Sequence, residues 1–151
     1  MARFGFTASR VPSTTLSTAL AVAAAASMRR AQIYELVIGC PNTPSDVSNQ
    51  WQMQFATTAG TGSAITPFSL DQADTLASTI VAKGTITIDP TLTANAIPLD
   101  IGLNQKATFR WVAAPGSELI IPATASNGYA LRTPIAGSTV ACDATIMYNE
   151  L

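Results

Sequence analysis

Histidine is absent from the 151 residues. Neither a histidine-based catalytic triad nor a histidine metal site can therefore be built. Charge is scarce as well: ionic residues make up 11% of the chain, against about 25% in an average soluble domain. Cysteine occurs twice, too seldom for a four-thiolate zinc site or a disulfide-rich secreted scaffold. The formal net charge of −1 argues against a nucleic-acid binder working through bulk positive charge. The Ala-rich stretch from Leu16 to Ala26 is shorter than the roughly 20 apolar residues that span a bilayer. What is present is a chain of one domain's length, 48% apolar, with room for a sizeable core. A surface so poor in charge must be covered by small polar residues or buried against other subunits. That composition points to a structural or binding protein and to no enzyme.

The few charges are unevenly placed. Residues 1–34 contain Arg3, Arg10, Arg29 and Arg30 and no acid, while residues 35–151 carry four bases and nine acids. This pattern reads as a basic arm, residues 1–29, attached to an acidic body, residues 30–151. Such an arm docks on something negative, either a neighbouring copy's body or an anionic protein shell. Arg3, Arg10, Arg29 and Arg30 are its expected polar anchors. Phe4, Phe6, Leu16 and Leu20 are the apolar ones, because an arm carrying aromatics must bury them somewhere. The same segment imitates a secretory signal, but its apolar stretch is mostly alanine interrupted by Ser17 and Thr18, so we assign it to the folded protein. Leu16, Thr18, Leu20 and Val22 alternate with Ser17, Ala19 and Ala21 as in a strand. A helix over Thr18–Met28 is equally open, since alanine is the best helix former.

The body alternates with a period of two. Tyr34, Leu36, Ile38 and Cys40 face one way, and Glu35, Val37 and Gly39 the other. Trp51, Met53 and Phe55 oppose Gln50, Gln52 and Gln54. Further strands are expected over Thr79–Asp89, Lys106–Trp111 and Val140–Tyr148, with shorter ones at Ile97–Leu103, Glu118–Ile121 and Tyr129–Arg132. Turn signals separate them, among them Gly60-Thr61-Gly62-Ser63 and the hairpin candidate Asn127-Gly128. Only Ser69–Ala77 looks helical, for about two turns, with Asp71 and Asp74 near its start. The expected fold is an all-β antiparallel sandwich, jelly-roll-like.

Catalytic chemistry has little to stand on. Ser63 lies in a Gly-rich stretch that lacks both the nucleophile elbow and the lysine of a phosphate loop. Asp71 and Asp74 lack the dense oxygen ligands of a calcium loop. Trp51 and Trp111 alternate with polar residues as core side chains do, and less as sugar platforms. No cofactor or metal is implied. Cys40 and Cys142 fall on inward faces of the first and last body strands. Two readings stay open there: a disulfide closing a loop of about 100 residues, worth about 4–5 kcal/mol in the chain-entropy model, or two buried thiols.

Several strings resemble a family. Ala107 to Pro134, with the run Phe-Arg-Trp-Val-Ala-Ala-Pro-Gly-Ser-Glu-Leu-Ile-Ile-Pro, is similar to head decoration (cement) proteins of tailed bacteriophages. So are Arg30-Ala-Gln-Ile-Tyr-Glu-Leu, Gly39-Cys-Pro-Asn-Thr-Pro-Ser-Asp, and Trp51 with the eleven residues after it. The likeness spans about residues 28–148 and lies in texture and short strings, with no chemical signature. It implies a virion protein on the outer surface of the capsid, made in the host cytoplasm. Its expected partners are the major capsid protein and copies of itself, as a homotrimer, with neither nucleic acid nor membrane involved. A carbohydrate-binding β-sandwich of a phage tail or adsorption apparatus is the alternative.

Overall fold

A computed structural model describes residues 2–10, 13–25, 29–74 and 76–151. The described residues contain no helix and form twelve strands in two antiparallel six-stranded sheets, which pack as a β-sandwich. The strands are β1 (Ala2–Arg10), β2 (Thr18–Ala24), β3 (Ala31–Gly39), β4 (Ser48–Ala56), β5 (Thr61–Ile65) and β6 (Phe68–Ser69). They continue with β7 (Ile80–Ile88), β8 (Leu99–Asn104), β9 (Phe109–Val112), β10 (Leu119–Ile121), β11 (Gly128–Arg132) and β12 (Cys142–Glu150). Sheet A runs β10-β3-β12-β1-β6, with β9 pairing the other half of β3 beside β10. Sheet B runs β5-β7-β2-β11-β4-β8.

The expected sandwich is present, but the described part of residues 1–29 is not an arm. β1 pairs with β12 along its whole length, Ala2 opposite Glu150 through to Arg10 opposite Cys142. β2 lies between β7 and β11. All seven residues of β2 are buried, because the strand is interior to its sheet as well as to the sandwich. Leu20, Val22 and Ala24 belong to the core between the sheets. Ala21 and Ala23, of the opposite parity, are covered by the neighbouring strands. Strand pairing on both edges overrides the helical preference of alanine. The helical reading is thus corrected over Thr18–Ala24, and its end, Ala26–Met28, lies outside the described residues.

The core is built around Tyr148, which stacks on Phe4 at 5.7 Å and meets Phe6 edge-on at 6.4 Å. Trp51 is buried, and Trp111 packs half-buried against the same core. In β3 the register slips opposite Met147 and Tyr148. The resulting bulge turns both Tyr34 and Glu35 outward and brings Ile33 inward, a shift that strict alternation cannot anticipate.

Three local expectations are corrected. The described residues of Ser69–Ala77 are not helical, Thr75 lying outside them: Asp71 and Asp74 accept the backbone amides of Ala73 and Leu76, forming Asx turns. Thr61–Ile65 is a strand, and only Gly60 ahead of it takes a left-handed φ of 64°. Asn127-Gly128 is no hairpin, since it joins β10 of sheet A to β11 of sheet B. The left-handed residue there is Ser126. Gly128 lies so close to β2 that an added Cβ would sit 1.9 Å from the Val22 carbonyl oxygen.

The entry into β2 is held by Asp89, just past β7. Its carboxylate accepts the Ser17 and Thr18 amides at 2.9 and 3.0 Å and the Ser17 hydroxyl at 3.0 Å. Burial works to raise the carboxyl's pKa, yet the hydrogen bonds from Ser17 and Thr18 outweigh it and hold the value below the ordinary 3.8. A depressed carboxyl stabilises the fold fully above its unfolded value and loses that contribution as pH falls through the folded one. Urea midpoints are therefore expected to drop between about pH 5 and pH 2, with a shallower drop in Asp89→Asn. Equal acid slopes for the two proteins would contradict this role.

Candidate functional site

The eight residues expected to grip a partner are scattered by the fold. Phe4, Phe6 and Leu20 are core residues with at most 1% of their surface exposed. Arg10, also buried, is a staple. Its guanidinium donates to the carbonyls of Val140, Ser13, Leu16 and Ser138, joining the end of β1 to two loops. Burial lowers its pKa, against the attraction of Asp89. Leu16 is half-buried beside it. Arg29 pairs with the buried Glu150 carboxylate at 3.0 Å and donates to the Ala77 carbonyl. Two of the four arginines are thus satisfied within the chain, Arg29 by an acid and Arg10 by carbonyls, and Arg3 and Arg30 remain exposed. Charge counting could not distinguish contacts within the chain from contacts between chains.

Both thiols are free. Asp143 pairs with Gly39, so Cys142 and Cys40 stand one register step further along the same two strands. Cys142 is fully buried and Cys40 half-buried. Burial, with Asp143 nearby, pushes the Cys142 thiol up to about 12 and raises that of Cys40. A buried thiol held protonated is inert. With an aromatic disulfide reagent at pH 8, one slow thiol is expected in the native protein, and both within seconds in denaturant. Two fast thiols in the native state would contradict the placement.

One candidate surface is the outer face of sheet A. Each of its strands presents there the residues that alternate with the core set. β12 contributes Asp143, Thr145 and Met147; β3 contributes Tyr34, Glu35 and Val37; β9 contributes Arg110 and Val112. On β1, Gly5 carries no side chain, and Phe68 of β6 lies over it. The Phe68 ring comes within 2.9 Å of where a Cβ would be, so a larger residue at position 5 would push the ring aside. Phe68 is 46% exposed and Val112 52% exposed. The polar groups on this face mostly bind one another: Thr7 with Thr145, Ser9 with Asp143, and Arg110 with Glu35 at 2.6 Å. The Arg110 guanidinium holds the Glu35 carboxyl below the usual carboxylate range. The face is extended over several strands, half apolar and nearly neutral, and suits a large surface better than a small ligand. Sequence reasoning overlooked it because Val37, Met147 and Val112 fall on the alternate set that usually meets water.

The outer face of sheet B is amide-rich. Gln50 and Gln52 both donate to Asp100, at 2.8 and 2.9 Å. Gln54 donates to the Thr93 carbonyl and accepts from Arg132 at 3.0 Å. These bonds hold the Asp100 carboxyl below its ordinary range, Gln50 contributing most. At the end of this sheet Phe55 and Tyr129 meet edge-to-face at 5.6 Å. With Asn95, Ile97 and Pro98 they line a hollow of about 400 Å³.

Among the described residues, no group of three or more acidic or cysteine side chains could hold a metal ion, and no helix is long and apolar enough to cross a membrane. The molecule is an all-β antiparallel sandwich whose functional groups lie on its faces and edges. No protein-family model matches the sequence, and no curated protein is significantly similar to it.

Proposed function

We propose that this chain is a structural virion protein that decorates the capsid of a tailed phage and cements adjacent capsid subunits. The outer face of sheet A carries the reading. Met147 lies on its central strand β12, Phe68 and Val112 lie exposed on the strands at its two edges, and Glu35 and Arg110 on it neutralise each other. The shortage of ionic residues and the string resemblance over residues 28–148 support the same conclusion. Binding only to the assembled shell stabilises it by RT ln(1 + [L]/Kd) at every site. Repetition over many sites makes a modest contact sufficient. Docking belongs to the sandwich face and not to an arm, since residues 2–10 are a paired strand of sheet A.

Co-sedimentation with emptied tailed-phage capsids tests this. The native protein is expected to pellet with the shells, and Val112→Asp to lose most of that binding while keeping its melting temperature. Failure of the native protein to bind any such capsid would overturn the proposal.

The Phe55–Tyr129 hollow favours a second reading, a carbohydrate-binding module of a phage tail or adsorption apparatus, because half-buried rings beside Asn95 suit a sugar ring. Binding on a glycan array that Tyr129→Ala removes would select it.

A further inference from the structure

An exposed strand edge is a template for another strand, and proteins usually shorten, bulge or charge such edges. Most edges of this sandwich are managed in that way. β6 has two residues, β9 four and β10 three, while β5 pairs through a register slip between Thr61 and Ser63. β8 is different. It has six residues, Leu99 to Asn104, in unbroken register with β4, and contains no proline, lysine or bulge. It ends the order of sheet B, and among the described residues no backbone–backbone hydrogen bond reaches its outer edge between Leu99 and Leu103.

We propose that β8 is a self-association strand: a second copy adds its own β8 antiparallel to it, about a twofold axis through Ile101, making one continuous sheet of both B sheets. Directly opposed residues share a face of the sheet, so only registers that keep inner with inner are allowed. Centring on Ile101 sets Ile101 against its symmetry mate and Leu99 against Leu103 of the second copy. Leu99 and Leu103, half-buried against the core, complete their burial in this way. On the outer face the same register sets Asp100 against Gly102 of the second copy. This matters because Asp100 is ionised, holding the Gln50 and Gln52 amides. The register one pair away would oppose the two Asp100 carboxylates, and like charges directly opposite one another are unfavourable. Gly102 is open on its outer side, with nothing within 4 Å of an added Cβ. The strand is therefore complementary to itself, as an isologous interface requires. The association is twofold and independent of capsid binding.

Open space at Gly102 makes it the position to test, since side chains there leave the subunit undisturbed. Sedimentation velocity over a range of concentrations is expected to show a monomer–dimer equilibrium. Gly102→Asp opposes a carboxylate to Asp100 twice per dimer and is expected to weaken association by about tenfold or more. Gly102→Lys opposes an ammonium to it, and is expected to bind at least as tightly as the native protein, with the gain lost in high salt. Amide exchange of residues 99–103 should slow as concentration rises, which reports the edge directly. A monomer at all concentrations, a trimer, or a dimer indifferent to the charge at position 102 would each overturn the inference.

Discussion

A chain shortened to residues 30–151 is expected not to fold. Composition draws a boundary near residue 30, but no structural boundary exists there. Removing residues 1–29 takes β1 from between β12 and β6 and β2 from between β7 and β11. It also removes Phe4, Phe6, Leu20 and Val22, all at most 1% exposed. Burial of a large apolar side chain contributes about 1.5–3 kcal/mol, so these four account for roughly the whole net stability of an ordinary domain, about 5–15 kcal/mol. The backbone edges of β12, β7 and β11 would lose their partners as well. Circular dichroism and amide exchange should show an unfolded or aggregated product. A truncated protein that melts cooperatively near the native temperature would refute the assignment of β1 and β2 to the interior.

Glu150→Ala is expected to destabilise the fold by about 3 kcal/mol. The Glu150 carboxylate is 1% exposed. It accepts the Ser78 hydroxyl at 2.6 Å, and the Thr79 amide and hydroxyl both at 2.8 Å. It also pairs with Arg29 at 3.0 Å. Alanine leaves these half-buried donors without their acceptor and frees the Ser78–Tyr148 contact at 2.7 Å to rearrange. Arg29, about a third exposed, regains water, which keeps the loss toward the low end of the range for broken buried pairs. Glu150→Gln retains one acceptor oxygen and should lose less. Equilibrium urea denaturation measures both, and an unchanged midpoint in Glu150→Ala would remove the carboxylate from its structural role. The cluster ties the last strand to the segment entering β7 and to Arg29 ahead of β3, three parts of the chain far apart in sequence.

Much of the strand content was legible because burial on one face imposes a period of two. Trp51 and Met53 point into the core and the alternating Gln50, Gln52 and Gln54 outward, as alternation requires. Reading failed where partners, not periodicity, decide. Thr18–Ala24 reads equally as helix or strand until β7 and β11 are seen on its two edges. Tyr34 reads as inward until the bulge opposite Met147 and Tyr148 is known. Arg10 and Arg29 read as exposed anchors, since nothing local reveals that backbone carbonyls and Glu150 await them.

The amino-acid sequence alone determined the class: an all-β sandwich with little charge and no histidine. Alternation and composition are local properties, and solvent imposes them residue by residue. Tertiary structure alone decided that β1 and β2 are interior strands of the two sheets, that the two thiols stand one step beyond the last β3–β12 pair, and that β8 ends its sheet with an open edge. Each of these depends on which distant strand lies alongside, and pairing energies between strands are set by the assembled sheet, not by the residues of either strand taken singly.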